Sequence, residues 1–155
     1  MYLALKAIHV VSVVLFLGNI ITGVFWKAHA DRTGELRARA QALDGIIRSD
    51  ALFTMPGVLL IIATGVWMAI EGGLPMFSTD WILWSIVLFG VSGAAFAVGV
   101  APLQKKLLAN VRAGLAGQWN ESEYHTLSRG WQVWGVVATG APLIALFLMV
   151  LKPEG

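Results

Sequence analysis

His9 is the residue whose type and position most invite chemistry. It sits in Tyr2-Leu-Ala-Leu-Lys6-Ala-Ile-His9-Val-Val-Ser12-Val-Val-Leu-Phe16-Leu-Gly-Asn19, the opening of a long apolar stretch. A polar or ionisable side chain at membrane depth is expensive, and its persistence there marks a functional candidate. Three readings of this imidazole are open. It can be a neutral packing group bonded to Ser12, Thr64 or a carbonyl. It can be an axial ligand to haem, since neutral imidazole is a common metal ligand and a proximal haem ligand. It can also hydrogen-bond a quinone or another substrate.

At 100° per residue, His9, Ser12, Phe16, Asn19 and Gly23 fall on one face of a helix. Lipid should not meet that face, so it is expected to point into a bundle. Counting inward along the other apolar segments brings Thr64 and Gly65, Leu88 and Phe89, and Ile144 to the depth of His9. Met68 and Met149 come about a turn higher. No acid falls inside an apolar segment, so no carboxylate is expected to pair with His9 unless Glu71 or Asp80 folds in from the outer loop. His29 and His125 lie too far along the chain for a bis-histidine haem. The second axial ligand is then Met68, Met149, Lys6, a water, or nothing. The candidate cofactor-binding set is therefore His9, Ser12, Thr64, Met68 and Met149, with His9 as the metal ligand and haem b as the cofactor. Asn19 is expected to bond to a neighbouring helix, Lys6 to snorkel outward, and Arg48 to pair with Asp50.

The elements that must hold these groups are membrane spans. Of 155 residues, 57% are hydrophobic and 13% charged, against about 25% charged in an ordinary soluble domain. A span takes roughly 20 mostly apolar residues. Four segments qualify, at about Tyr2–Trp26, Leu52–Ile70, Trp81–Leu103 and Trp131–Leu151. Backbone groups in lipid must be satisfied within the segment, so all four are read as helices. The expected fold is all-α: one polytopic domain over residues 1–155, an antiparallel bundle of four transmembrane helices. The first apolar run is longer than the roughly 7–15 residues of a signal-peptide core, and is kept as a span.

Lys27, Arg32, Arg37, Arg39 and Arg48 follow the first span, and Lys105, Lys106, Arg112 and Arg129 follow the third. The loop from Glu71 to Asp80 has no basic residue. Basic loops stay in the cytoplasm, so both termini are expected outside, in a bacterial inner membrane. Leu36, Ala40, Leu43 and Ile47 repeat at helical spacing and predict an amphipathic segment lying at the inner surface. Pro56 and Pro142 fall inside spans and predict kinks. Asn120 and Glu123 have capping spacing. Gly90, Ala94, Ala97 and Ala101 form a small-residue stripe that permits close helix approach, inside the bundle first and at a homo-oligomer or membrane-partner seam second.

The absence of Cys removes disulfides, thiolate metal sites and Cys nucleophiles. No basic tract is dense enough for nucleic acid. No zinc-protease helix, phosphate-binding glycine loop, nucleophile elbow or selectivity filter is present.

Several stretches carry a family likeness. Met1 to His9, Leu17-Gly-Asn19, Gly45-Ile-Ile-Arg48-Ser-Asp50, Thr54-Met-Pro56-Gly57, Trp81-Ile-Leu-Trp84 and Ala101-Pro-Leu-Gln104 resemble a bacterial integral membrane family catalogued as domain of unknown function 2269. The resemblance spans nearly the whole chain and implies four spans without an assigned activity. Lys6 and His9 are also similar to the Lys-x-x-His pattern that opens the small haem-dependent protoporphyrinogen oxidases. In those proteins the histidine is implicated in haem binding and a later span carries a functional lysine; here no lysine stands between Lys27 and Lys105. The leading expectation is a membrane protein that binds b-type haem through His9, with quinol or porphyrin as partner and a redox role. The alternatives are a non-enzymatic subunit or assembly factor, and a small-solute carrier built on the Pro56 and Pro142 kinks.

Overall fold

The computed structural model describes residues 1–153, and the last two positions of the expected 1–155 domain lie outside the described residues. Its elements are α1 (Tyr2–Thr33), α2 (Leu36–Ser49), a π-turn (Asp50–Thr54), α3 (Met55–Glu71), α4 (Asp80–Ala95), a second π-turn (Phe96–Val100), α5 (Ala101–Leu115) and α6 (Glu121–Leu151). The described residues contain no strand. Across the π-turns, α2 runs on into α3 and α4 into α5, so the chain makes four rods. All four are long and apolar enough to cross a membrane: Tyr2–Thr33, Leu36–Glu71, Asp80–Leu115 and Glu121–Leu151.

The rods outrun the expected spans at one end. A helix of 32 residues such as α1 is about 48 Å long at 1.5 Å per residue, against a hydrocarbon core of about 30 Å. The surplus lies at the end that carries the basic residues. The stretch around Leu36–Ile47 thus corrects the expectation of a separate surface segment: it continues the second rod, and Leu43 is fully buried there.

Glycines end the rods where they turn. Gly73 has φ 62 and Gly117 has φ 90, the left-handed conformation that costs a residue without Cβ least. Each lets the next amide reach back five residues, Leu74 to the Ala69 carbonyl and Gln118 to the Ala113 carbonyl, which satisfies orphaned end carbonyls. At the start of α6, Asn120 accepts from the Glu123 amide at 3.1 Å, the cap its spacing predicted.

The rods pack in two ways. In the apolar half, α1 lies against α3 and α4 against α6. The two pairs touch through side chains such as Phe16 and Phe89, whose ring centres are 5.7 Å apart. In the charged half, α2 packs on α1 and α5, and α5 on α6, around Leu43, Leu107, Val111, Tyr124 and Trp131. Burial of such side chains stabilises by about 1.5–3 kcal/mol each where water is the alternative. Between helices in lipid that driving force is absent, and close contact with interhelical hydrogen bonds replaces it.

The α4–α6 seam shows how. Ser85, Ser92 and Gly99 recur every seven residues and are buried, and Ser85 faces Ala145 and Ser92 faces Ala138, both also buried. Pro142 has no N–H, so the carbonyl four residues back, that of Ala138, loses its helical donor. Ser92 Oγ donates to that carbonyl at 2.6 Å. A Cβ on Gly99 would lie 2.2 Å from Trp134 Cγ, so only glycine fits. The stripe expected to pack inside the bundle does not: Gly90, Ala94 and Ala97 are exposed, and Ala101 is half-buried. The interior face of the third rod is set by the serines, not by the alanines.

The prolines of the middle rods take different surroundings. Pro56 and Pro102 each stand just after a π-turn. The wider turn, in which Met55 donates to Asp50 O and Ala101 to Phe96 O, absorbs one extra residue directly before a residue that cannot donate.

Candidate functional site

The inward face of α1 is as expected: Ser12 and Phe16 are buried, and His9, Asn19 and Gly23 are half-buried. His9 packs on α3, and Nδ1 lies 2.9 Å from Thr64 Oγ1. A Cβ at Gly65 would stand 3.3 Å from His9 Cε1, so glycine there lets the ring lie against the helix. Thr64 donates its one hydroxyl proton to the Leu60 carbonyl. Its oxygen is therefore the acceptor, and His9 Nδ1 carries the hydrogen. Nε2 is left with a bare lone pair and makes no hydrogen bond among the described residues. An imidazole held at one nitrogen and open at the other is how metal-ligating histidines are oriented.

The other members of the candidate set are less closely drawn in. Ser12 Oγ donates to the Ile8 carbonyl of its own helix at 2.8 Å, so it bonds backbone rather than His9. Met68 lies one turn beyond Thr64 on α3 and is half-buried. Met149 is on α6, in the other pair. Lys6 is exposed, as a snorkelling lysine should be.

A second constellation lies where the apolar and charged halves meet. Asp50 is buried at the head of the first π-turn. Its Oδ1 accepts from Asn19 Nδ2 at 3.2 Å and from Thr54 Oγ1 at 2.9 Å. Its Oδ2 accepts from Gln104 Nε2 at 3.1 Å. Asn19 Nδ2 also donates to Thr54 Oγ1 at 2.9 Å. Asn19 thus bonds across to a neighbouring rod, as expected. Asp50, however, does not pair with Arg48, which instead meets Asp44 at 2.8 Å. Nor are acids confined to the loops: the apolar run starts at Leu52, but the π-turn swings Asp50 into the bundle. A cavity of about 40 Å³ adjoins it, lined among others by Asn19, Asp50, Gln104, Trp131 and Thr139.

The third group is in the charged half. Lys27, expected as a loop cation anchoring the membrane edge, is buried in α1. Its Nζ donates to Asp31 Oδ2 and Ser128 Oγ at 2.7 Å each and stands 5.1 Å from the Trp131 ring centre. Arg39 donates to the Asp31 carbonyl at 3.2 Å. Tyr124 donates its phenol hydrogen to Asp31. Burial, then the bond to Asp31 and its negative charge, hold the Tyr124 pKa well above 10.0, with Arg39 opposing. Asp31 thereby joins α1, α2 and α6. Lys27 and Asp31 have the i,i+4 spacing of a helical ion pair, a signal available in the sequence. His29 and His125 are exposed, each on a helix.

No curated protein and no solved structure matches this chain. The family model described as "Predicted integral membrane protein (DUF2269)" matches residues 3–153. Four apolar rods, a membrane-depth polar face on α1 and that match agree, and the chain belongs to this family of integral membrane proteins.

Proposed function

We propose that this protein holds a b-type haem in a bacterial inner membrane, with His9 Nε2 as an axial ligand and both termini outside. The observation that supports the reading is the His9–Thr64 bond. It fixes the imidazole tautomer and leaves Nε2 free to donate its lone pair, the role such outer bonds play in metal proteins. Gly65 gives the ring room against α3, and Met68 and Met149 are the thioethers that would help hold the group. The haem would supply one-electron chemistry, with membrane quinol or a porphyrin as exchange partner. The chain's own part is to orient the imidazole and keep water from it. The absorption spectrum of the purified protein tests this. A Soret band that disappears in His9→Ala and shifts in Thr64→Val is expected. A protein that stays colourless after titration with haem overturns it.

A second reading is a non-enzymatic subunit or assembly factor. Gly90 and Ala94 on α4 and Ala97 in the π-turn after it are exposed, and a Cβ built on Gly90 or Gly93 meets no neighbouring group within 4 Å. That leaves a smooth strip to which another membrane helix can come close. Crosslinking in native membranes tests it: a defined product lost in Gly90→Ile is expected, and only random products would end the reading.

A further inference from the structure

We propose that Asp50 is a proton-exchange site, which takes up and releases a proton through a cavity opening toward the charged end of the bundle. It is independent of the haem reading, since Asn19, its contact on α1, stands ten residues beyond His9, nearly three helical turns, and His9 shares no bond with Asp50 or its partners. The charge balance around Asp50 carries the proposal. Its three hydrogen-bond donors, Asn19, Thr54 and Gln104, are all neutral. A buried charge needs a partner of opposite sign or it neutralises itself.

No such partner faces it. From α1 the neighbour is Asn19, from α5 Gln104, and from α6 the cavity is lined by Trp131 and Thr139. The cations on those elements and on α2 are engaged or turned away. Lys27 is bonded to Asp31 and Arg48 to Asp44, while Lys105, Lys106 and Arg129 are exposed. His29 is exposed on α1. A proton is then the simplest means of neutralising Asp50.

The surroundings suit proton transfer. The cavity of about 40 Å³ exceeds the roughly 10–15 Å³ a water needs. The Trp131 indole N–H is buried without a protein partner, and Trp131 lines the same cavity. Asn19, Gly23 and Ile46 line both this cavity and a groove of about 510 Å³ between α1 and α2, which Trp26, His29, Gln41 and Ser49 also line. The groove reaches from the solvated end to the amide that bonds Asp50. Gln104 can follow the change: its NH2 donates to the carboxylate, and a half-turn of the amide presents its oxygen to the carboxylic acid O–H. Since Asp50 heads one π-turn and Gln104 follows the other, both middle rods sense the proton.

The test is infrared difference spectroscopy of the full chain in lipid nanodiscs, titrated from mildly acidic to mildly alkaline pH. Expected is a carboxylic-acid C=O band that vanishes as pH rises, shifts on transfer to heavy water, and is lost in Asp50→Asn but kept in Asp80→Asn. Gln104→Leu removes a donor to the charged form and should move the midpoint to higher pH. Absence of the band at every pH makes Asp50 a permanent anion and overturns the proposal. A band that neither titrates nor exchanges makes it a static structural acid and does the same. A midpoint that follows sodium concentration at fixed ionic strength overturns it in favour of a metal ion.

Discussion

Ser92 donates its hydroxyl hydrogen, at 2.6 Å, to the Ala138 carbonyl that Pro142 deprives of its own helical partner. A break in one rod is thus closed by a side chain from another, as lipid-embedded backbone requires. Ser92→Ala should lower stability by about 1–2 kcal/mol, read as a lower melting temperature in detergent. Pro142→Ala restores an amide donor to Ala138. In that background the Ser92→Ala loss should shrink to a fraction of its size, and an undiminished loss would show that the two are unrelated.

Glycines of the third rod should divide sharply. Gly99→Ala drives a methyl into the Trp134 ring, with the nearest atom at 2.2 Å. Overpacking of this kind costs about 1–3 kcal/mol or more, so the folded yield should fall steeply and recover in part with Trp134→Ala. Gly93→Ala meets nothing within 4 Å and should leave the melting temperature unchanged or slightly raised, since alanine is the better helix former.

Breaking the Lys27–Asp31 pair from its two sides should give unequal results. Asp31→Asn leaves a buried ammonium without a counter-charge, for which about 3–5 kcal/mol is usual. Lys27→Met removes the buried charge and keeps the apolar stem. Melting temperatures in detergent should show the acid substitution as the more damaging by several degrees; equality, or the reverse order, would mean that Asp31 is not the group that neutralises Lys27.

Tyr124 predicts an alkaline limit. Its pKa is raised above 10.0 in the fold by burial and by Asp31, so the unfolded chain loses this proton first. The associated stability is complete below the unfolded value of about 10 and is lost as pH climbs toward the folded one. Thermal melts across that range should show the wild type declining. Tyr124→Phe, less stable at neutral pH, should decline less steeply.

The sequence made some of this legible and hid the rest for physical reasons. Apolar length alone gave four spans, because lipid enforces it. The α1 face of His9, Ser12, Phe16 and Asn19 followed from helical periodicity, and depth counting found Thr64 and Gly65 opposite His9. Asp50 escaped, because a π-turn breaks the 100° periodicity and aims the side chain where an unbroken helix would not. Lys27 looks like an anchor in the sequence because basic residues after a span usually are. Its burial depends on α6 arriving about a hundred residues later, as Ser128 shows. The strip from Gly90 to Ala101 points inward on sequence alone because small residues favour contact. Serines can do the same work and bond backbone as well, and Ser85 and Ser92 took the seam.

A π-turn is an ordinary helix with one surplus residue. Removing a single residue between Asp50 and Thr54 would therefore heal the second rod rather than break it. Everything on the far side would swing by about 100°, and Thr64 would leave His9 while Leu43 kept its place. Lengths of chain that elsewhere tolerate no deletion could here trade one helical phase for another.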